Sequence, residues 1–121
     1  MSQPDNNRLL PEMRIKLGRD FSRIRRVGGR ISRSMLVLNW ADAAEGLPRL
    51  AVVTSRKVGC AVDRSRCRRL LRECFRLNRR TLCRPVDLVV VARRAMVGKD
   101  WVTVQAEFLS AVRQAKLILA S

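Results

Sequence analysis

Between residues 64 and 80 the chain carries Arg64, Arg66, Arg68, Arg69, Arg72, Arg76, Arg79 and Arg80 against one acid, Glu73. A guanidinium is planar and always charged, and it can grip a phosphate or a base edge with two hydrogen bonds. With Arg64 at zero and 100° per residue, Arg64, Arg68, Arg72, Arg76 and Arg79 fall within about 120° of arc. Ser65 and Arg69 lie within or beside that arc, and Arg66 flanks it. Cys67, Leu70, Leu71, Cys74 and Phe75 recur at helical spacing as an apolar stripe, expected on the opposite side. Solvated helix faces usually mix signs, and arginines four apart repel by about 0.2–0.5 kcal/mol per pair. A face so nearly uniform in sign points to a polyanion, and nucleic acid is the first candidate.

Other chemistries find little support. The chain has no His and no Tyr, which removes the commonest general acid/base and the commonest neutral metal ligand. The acids are scattered singly, the nearest pair being Asp42 and Glu45 in an expected loop, so a protein-only nuclease would lack its carboxylate cluster. Cys60, Cys67, Cys74 and Cys83 form no CxxC pair, which argues against a zinc or redox site. Cys67 and Cys74 sit on the apolar stripe and read as small core residues.

The 121 residues fit one domain, with 47% hydrophobic residues to build a core. The net charge is +16, and 22 of the 26 cations are Arg. Such a chain repels itself, so sulfate or phosphate is expected to stabilise it. The start has no apolar signal segment, and no stretch is long enough to span a membrane. The expected setting is cytoplasmic, with reduced thiols.

The elements that must position the arginines follow from pattern. Residues 1–12 read as a flexible tail and 13–121 as one domain. An amphipathic helix from Leu17 places Phe21, Ile24 and Val27 on one face, and Gly28-Gly29 stops it. Met35–Trp40 and Leu50–Thr54 read as strands, with Ala41–Pro48 a loop, and Arg56-Lys57-Val58 is expected to continue or pair with the second strand. Asp63 is expected to cap a helix over 63–80. Val86–Ala92 has the unbroken apolar character of a buried central strand. Asp100 is expected to cap a last helix with Val104, Phe108, Leu109, Val112, Ala115 and Leu119 inward. Phe75 and Phe108 are assigned to the core, and Trp40 and Trp101 to packing. Together these make a small α/β sandwich, with helices on one mixed sheet. Arg56 and Lys57, just before the basic helix, extend its cationic surface, and the free N–H groups of the helix start can face a phosphate.

The run Arg56-Lys-Val-Gly-Cys-Ala-Val-Asp-Arg-Ser-Arg-Cys-Arg-Arg-Leu-Leu-Arg-Glu-Cys-Phe75 resembles the signature of the bacterial ribonuclease P protein family. Asp20-Phe21 resembles the family's early Asp-Phe, and Asp87-Leu-Val-Val-Val-Ala-Arg93 its late strand followed by Arg. The likeness covers roughly residues 13–115. It implies a two-layer α+β sandwich, αβββαβα, resembling the ribosomal protein S5 domain 2-like fold. It also implies a mixed four-stranded sheet and a left-handed βαβ crossover, which pattern alone would not give. It implies further that Arg64, Arg66, Arg68, Arg69 and Arg72 contact a catalytic RNA. Ser65, Arg76, Arg56 and Lys57 complete the expected RNA-binding set. A cleft beside Phe21 would take the single-stranded 5′ leader of precursor tRNA. Ser65 stands where the family has Asn, Cys60 where many members have Asn, and Arg25 and Asn39 where the cleft is often aromatic. Leader binding is therefore expected to lean on charge more than on stacking. The chain would assist hydrolysis by the RNA and its Mg²⁺, binding no cofactor of its own, with no obligate protein partner. A structural RNA-binding protein of ribosomal type is the alternative that the basic helix alone would also fit.

Overall fold

A computed structural model describes residues 19–43, 46–82 and 85–117. Helix α1 (Arg19–Val27) is followed by strands β1 (Gly29–Ser32), β2 (Leu36–Asp42) and β3 (Arg49–Val53). Helix α2 (Ala61–Asn78), a 3-10 turn (Arg79–Thr81), strand β4 (Val86–Ala92), a second 3-10 turn (Arg94–Met96) and helix α3 (Trp101–Gln114) complete the order. This is the expected αβββαβα mixed-sheet architecture.

The strands lie in the order β1-β2-β4-β3. β2 runs antiparallel to β1 and to β4, and β3 runs parallel to β4. Parallel neighbours need a long crossover, and α2 supplies it. β4 is central and reads Val-Asp-Leu-Val-Val-Val-Ala because both its faces are covered. Side chains alternate across the sheet. Leu36, Leu38, Leu50, Leu88, Val90 and Ala92 face α2 and α3 and share one core with Cys67, Leu71, Cys74, Phe75, Val104, Phe108, Ala111 and Val112. Trp40, Trp101, Leu70 and Leu109 pack half-buried on its margin. On the other face Ile24 of α1 is buried with Ala41 and Val89, against Ala51 and Val53. Fully burying a side chain such as Phe75, Leu71 or Ile24 contributes about 1.5–3 kcal/mol.

Several boundaries differ from the sequence reading. The third strand is β1, at Gly29–Ser32, whereas Arg56-Lys57-Val58 is a turn in which the Val58 N–H donates to the Ser55 carbonyl at 3.0 Å. β2 runs on through Asp42 and shortens the expected loop. The α2 N-cap is Cys60, not Asp63. Asp63 sits in the first turn and accepts from the Cys60 thiol at 3.4 Å. A carboxylate is favourable there, near the positive end of the helix dipole. Asp100 does cap α3, accepting from the Thr103 N–H at 2.9 Å. The side chain of Phe21, Cys83, Leu119 and the 1–12 tail lie outside the described parts of the chain.

Gly28 and Gly29 do more than stop a helix. The Gly28 N–H closes α1 on the Ile24 carbonyl at 3.0 Å, and β1 starts at once, paired Gly29 to Trp40. A Cβ on Gly28 would overlap the Trp40 carbonyl oxygen and come within 2.7 Å of the Ile24 oxygen, and one on Gly29 would run into the Trp40 ring. Only glycine lets the chain turn from helix to edge strand so close to β2.

Candidate nucleic-acid interface

The apolar stripe of α2 is fixed to the core through Cys67, Leu71, Cys74 and Phe75, and this decides which arginines reach solvent. Phe75 lies only about 20° round the helix from Arg64, so Arg64 borders the core, not the middle of the exposed side. The outward sector is centred on Ser65, Arg69 and Arg72, all exposed, while Arg64, Arg66, Arg68 and Arg76 are half-buried. The apolar stripe is thus not opposite the five-arginine arc. It abuts one edge of it.

Three of the half-buried arginines, Arg66, Arg68 and Arg76, are held by neighbours. Arg68 donates to Thr54 Oγ1 at 2.6 Å and to Ser65 Oγ at 3.1 Å. Arg66 donates from Nη2 to the Lys99 carbonyl at 2.7 Å, and its Nη1 is buried without a partner. Arg76 grips Glu73 with two hydrogen bonds, one of them Nε to Oε1 at 3.0 Å. Those bonds hold the Glu73 carboxyl below its ordinary value against a smaller opposing effect of burial. The only acid of the basic stretch therefore neutralises its C-terminal end. Arg69, in contrast, makes no hydrogen bond or ion pair among the described residues, and it is fully available to a ligand.

Arg56 and Lys57 are exposed on the turn before α2. With Val58, Gly59, Asp63, Arg94 and Val97 they line a concavity of ≈ 530 Å³ at the start of the helix. Arg94 is a cation that the sequence reading did not place there. Its signal was slight, a basic pair after an apolar strand.

A second cationic surface lies across the sheet. Ile24 and Arg25 of α1, Gly28, Gly29 and Arg30 of the α1–β1 junction, Val37 and Asn39 of β2 and Val91 of β4 line a groove of ≈ 490 Å³. Arg25 and Arg30 are exposed. Asn39 donates its amide N–H to the Val89 carbonyl at 3.3 Å, which leaves its amide oxygen as an acceptor. Trp40, the next residue, packs against the core on the opposite face. The structure thus brings Arg25 and Asn39 together, as the sequence reading placed them, and adds Arg30, which sits on the strand that reading missed.

Beneath the outer end of α1 lies a polar cluster that also escaped it. Asp87 of β4 is fully buried. Arg49 grips it bidentately, Nε to Oδ1 and Nη2 to Oδ2, both at 2.8 Å. Arg23 of α1 reaches the same carboxylate and also donates to the Asp42 carbonyl at 3.1 Å.

Burial raises the thiol pKa of Cys67 and pushes that of Cys74 up to about 12, so both stay protonated. Among the described residues no three His, Cys, Asp or Glu side chains group closely enough to hold a metal ion, and no helix is long and apolar enough to cross a membrane.

Comparison with known proteins agrees with this geometry. The family model described as Ribonuclease P matches residues 9–116. The ribonuclease P protein component of Clostridium kluyveri is 35% identical over 106 residues, covering 86% of this chain and 95% of that one. That of Desulfatibacillum aliphaticivorans is 37% identical over 89 residues, covering 74% and 75%. The structure of the Staphylococcus aureus RNase P protein superposes with a TM-score of 0.80 at 27% identity, covering 88% and 98%. The RNase P protein of Thermotoga maritima gives 0.76 at 28%, covering 84% and 96%. With a family match over residues 9–116, relatives above 30% identity and solved structures of the same fold, the chain belongs to the bacterial ribonuclease P protein family.

Proposed function

We propose that this chain acts by holding two RNA ligands at once, one on each side of its sheet. Membership of the family makes it the protein subunit of ribonuclease P, partner of the ribonuclease P RNA in a ribonucleoprotein that is an endoribonuclease and processes tRNA. The finer reading assigns the α2 surface, with Arg69, Arg72 and Ser65 at its centre and Arg56, Lys57, Arg64, Arg66 and Arg68 around it, to the catalytic RNA. It assigns the α1–β2 groove to the 5′ leader of precursor tRNA. The observation that carries this is the placement of two cationic surfaces on opposite faces of one sheet.

Each surface suits its ligand. A rigid helix with an arginine face meets phosphates at fixed spacing and screens their mutual repulsion. The groove offers Arg25 and Arg30 to a backbone and the Asn39 oxygen to a base or ribose donor, a set that grips a single strand without demanding its sequence. No side chain here is assigned a proton transfer or a nucleophilic role. Mg²⁺, which prefers hard oxygen ligands, would be held by RNA and substrate phosphates, and there it would activate water and steady the leaving oxygen. The cytoplasm is the setting in which such a partner and substrate are met.

The test is removal of the leader from precursor tRNA by a bacterial ribonuclease P RNA at low Mg²⁺, with and without this chain. A sharp rise in cleavage that Arg69→Ala reduces is the expected result. Binding to the RNA with no change in cleavage would favour a purely structural RNA-binding role and refute the proposal.

A further inference from the structure

We propose that the Arg23–Asp87 pair is a positioning device that sets the α1 wall of the groove and so controls affinity for the leader. This rests on the assignment of the groove to the leader. Asp87 is a fully buried carboxylate in the central strand, a placement that is costly unless the charge is paired and hydrogen-bonded. Arg49 already pairs that charge, with one bond to each carboxylate oxygen. Arg23 is thus a second cation on a carboxylate whose charge is already paired. What it adds is a link between α1 and the sheet, through Asp87 of β4 and the carbonyl of Asp42 at the end of β2.

Helix α1 needs such a link. It has nine residues, too few to be stable by itself. Among its described side chains Ile24 is the only one buried. Ile24 fixes one point of the helix and does not by itself set its rotation. Arg23 adds a second anchor, to Asp87 of β4 and the Asp42 carbonyl of β2. Ile24 and Arg25, the next two residues, line the groove. The rotation of α1 about Ile24 thus sets whether Arg25 stands in the groove or swings away. The α2 surface lies across the sheet and does not feel this link, so the device acts on one ligand only.

The test reconstitutes the chain with a bacterial ribonuclease P RNA and compares its affinity for precursor tRNA bearing a long leader with that for tRNA bearing a single leader nucleotide. Four proteins are needed: wild type, Arg23→Gln, Arg23→Lys and Arg26→Gln. Arg26 is exposed, outside the groove lining, and its loss removes the same charge from the same helix. Arg23→Gln is expected to cut the leader-dependent gain by about fivefold to tenfold, less than the full worth of a charge-assisted hydrogen bond because only the placement of Arg25 is lost. Arg23→Lys should restore part of it, and Arg26→Gln should stay within about twofold of wild type, as for a solvated charge. Hydrogen exchange should quicken about tenfold at the α1 amides in Arg23→Gln and stay unchanged in α2. If wild type shows a gain that Arg23→Gln keeps, or that Arg26→Gln loses equally, the positioning role is overturned while the leader reading stands. If wild type shows no leader-dependent gain, the leader reading itself falls and takes this inference with it.

Discussion

Arg68 and Arg69 are neighbours of one residue type in one motif, yet the structure gives them different work, and alanine substitution should separate them. Arg69 is exposed and has no partner among the described residues. Its loss should leave stability within about 0.5 kcal/mol and should relieve some repulsion from Arg66 and Arg72, three positions away. A phosphate contact, however, would go. One contact accounts for about 0.7–0.9 of slope in a plot of log affinity against log salt. The wild-type and Arg69→Ala lines should therefore differ by that slope, so the variant's deficit relative to wild type should be about fivefold to eightfold larger at 0.1 M than where the lines extrapolate at 1 M.

Arg68 is half-buried, with a bond to Thr54 that ties α2 to the end of β3 and a second to Ser65 within the helix. Each such bond contributes about 1 kcal/mol before exposure is counted, so about 1 kcal/mol for the pair is a fair figure. For 121 residues the unfolding entropy near the midpoint is about 0.25 kcal/mol/K, so Arg68→Ala should lower Tm by roughly 4 °C. Thermal melts by circular dichroism and filter binding across a salt series read the two effects separately. Equal losses of Tm in both variants, or an Arg69→Ala line parallel to wild type, would refute the division.

Three further outcomes follow from packing and titration. Gly28→Ala should cost about 3 kcal/mol and roughly 10 °C in Tm, because its Cβ meets the backbone carbonyls of Trp40 and Ile24, neither of which can turn aside; a melt within 2 °C of wild type would contradict that contact. Burial pushes the Glu107 carboxyl up, but bonds from Arg33, Ser34 and the Met35 N–H outweigh it and hold the group below its ordinary 4.5. A folded-state value below the unfolded one stabilises the protein above the unfolded pKa and ceases to do so as pH falls through the folded one. Urea titrations should accordingly show the gap between wild type and Glu107→Gln widest near neutral pH and closing below about 4.5; a gap independent of pH would remove Glu107 from the account. Finally, a maleimide at pH 8 should label Cys60, which is exposed, while Cys67 and Cys74 stay unmodified in the native protein, as peptide mapping would show.

What could be read from the sequence was what lies within one element. The apolar stripe of α2, the buried run of β4 and the Asp100 cap are local patterns, and all three stand. β1 left no such pattern: Gly-Arg-Ile-Ser has one apolar residue, and it forms a strand because β2 offers an edge and two glycines let the chain reach it. The position of Arg64 beside the core was in principle readable from the angle to Phe75, but a count of arginines on an arc obscures which side of the arc the core takes. The clamp could not have been read at all. Asp87 sits in an apolar run, and its partners Arg23 and Arg49 are 64 and 38 residues away in sequence. Arg25 and Asn39 could be placed in one cleft through the family resemblance, whereas Arg30 joins them only because β1 pairs with β2 beside α1.

The distance between the two surfaces carries its own consequence. Leu38 and Trp40 face α2 and α3 while Asn39 between them faces the groove, so one strand backs both cationic surfaces. A chain of net charge +16 that gathered every cation on one surface would place both RNAs there, where their phosphates would repel each other across the ligand gap. Splitting the charge across a sheet whose interior is apolar keeps the ligands apart by the thickness of the domain. That spacing exceeds a screening length of about 8 Å at physiological salt, since stacked layers alone stand about 10 Å apart. If the two surfaces serve leader and catalytic RNA as proposed, both would bind at little mutual electrostatic cost, and charge changes on one surface should leave affinity at the other nearly untouched.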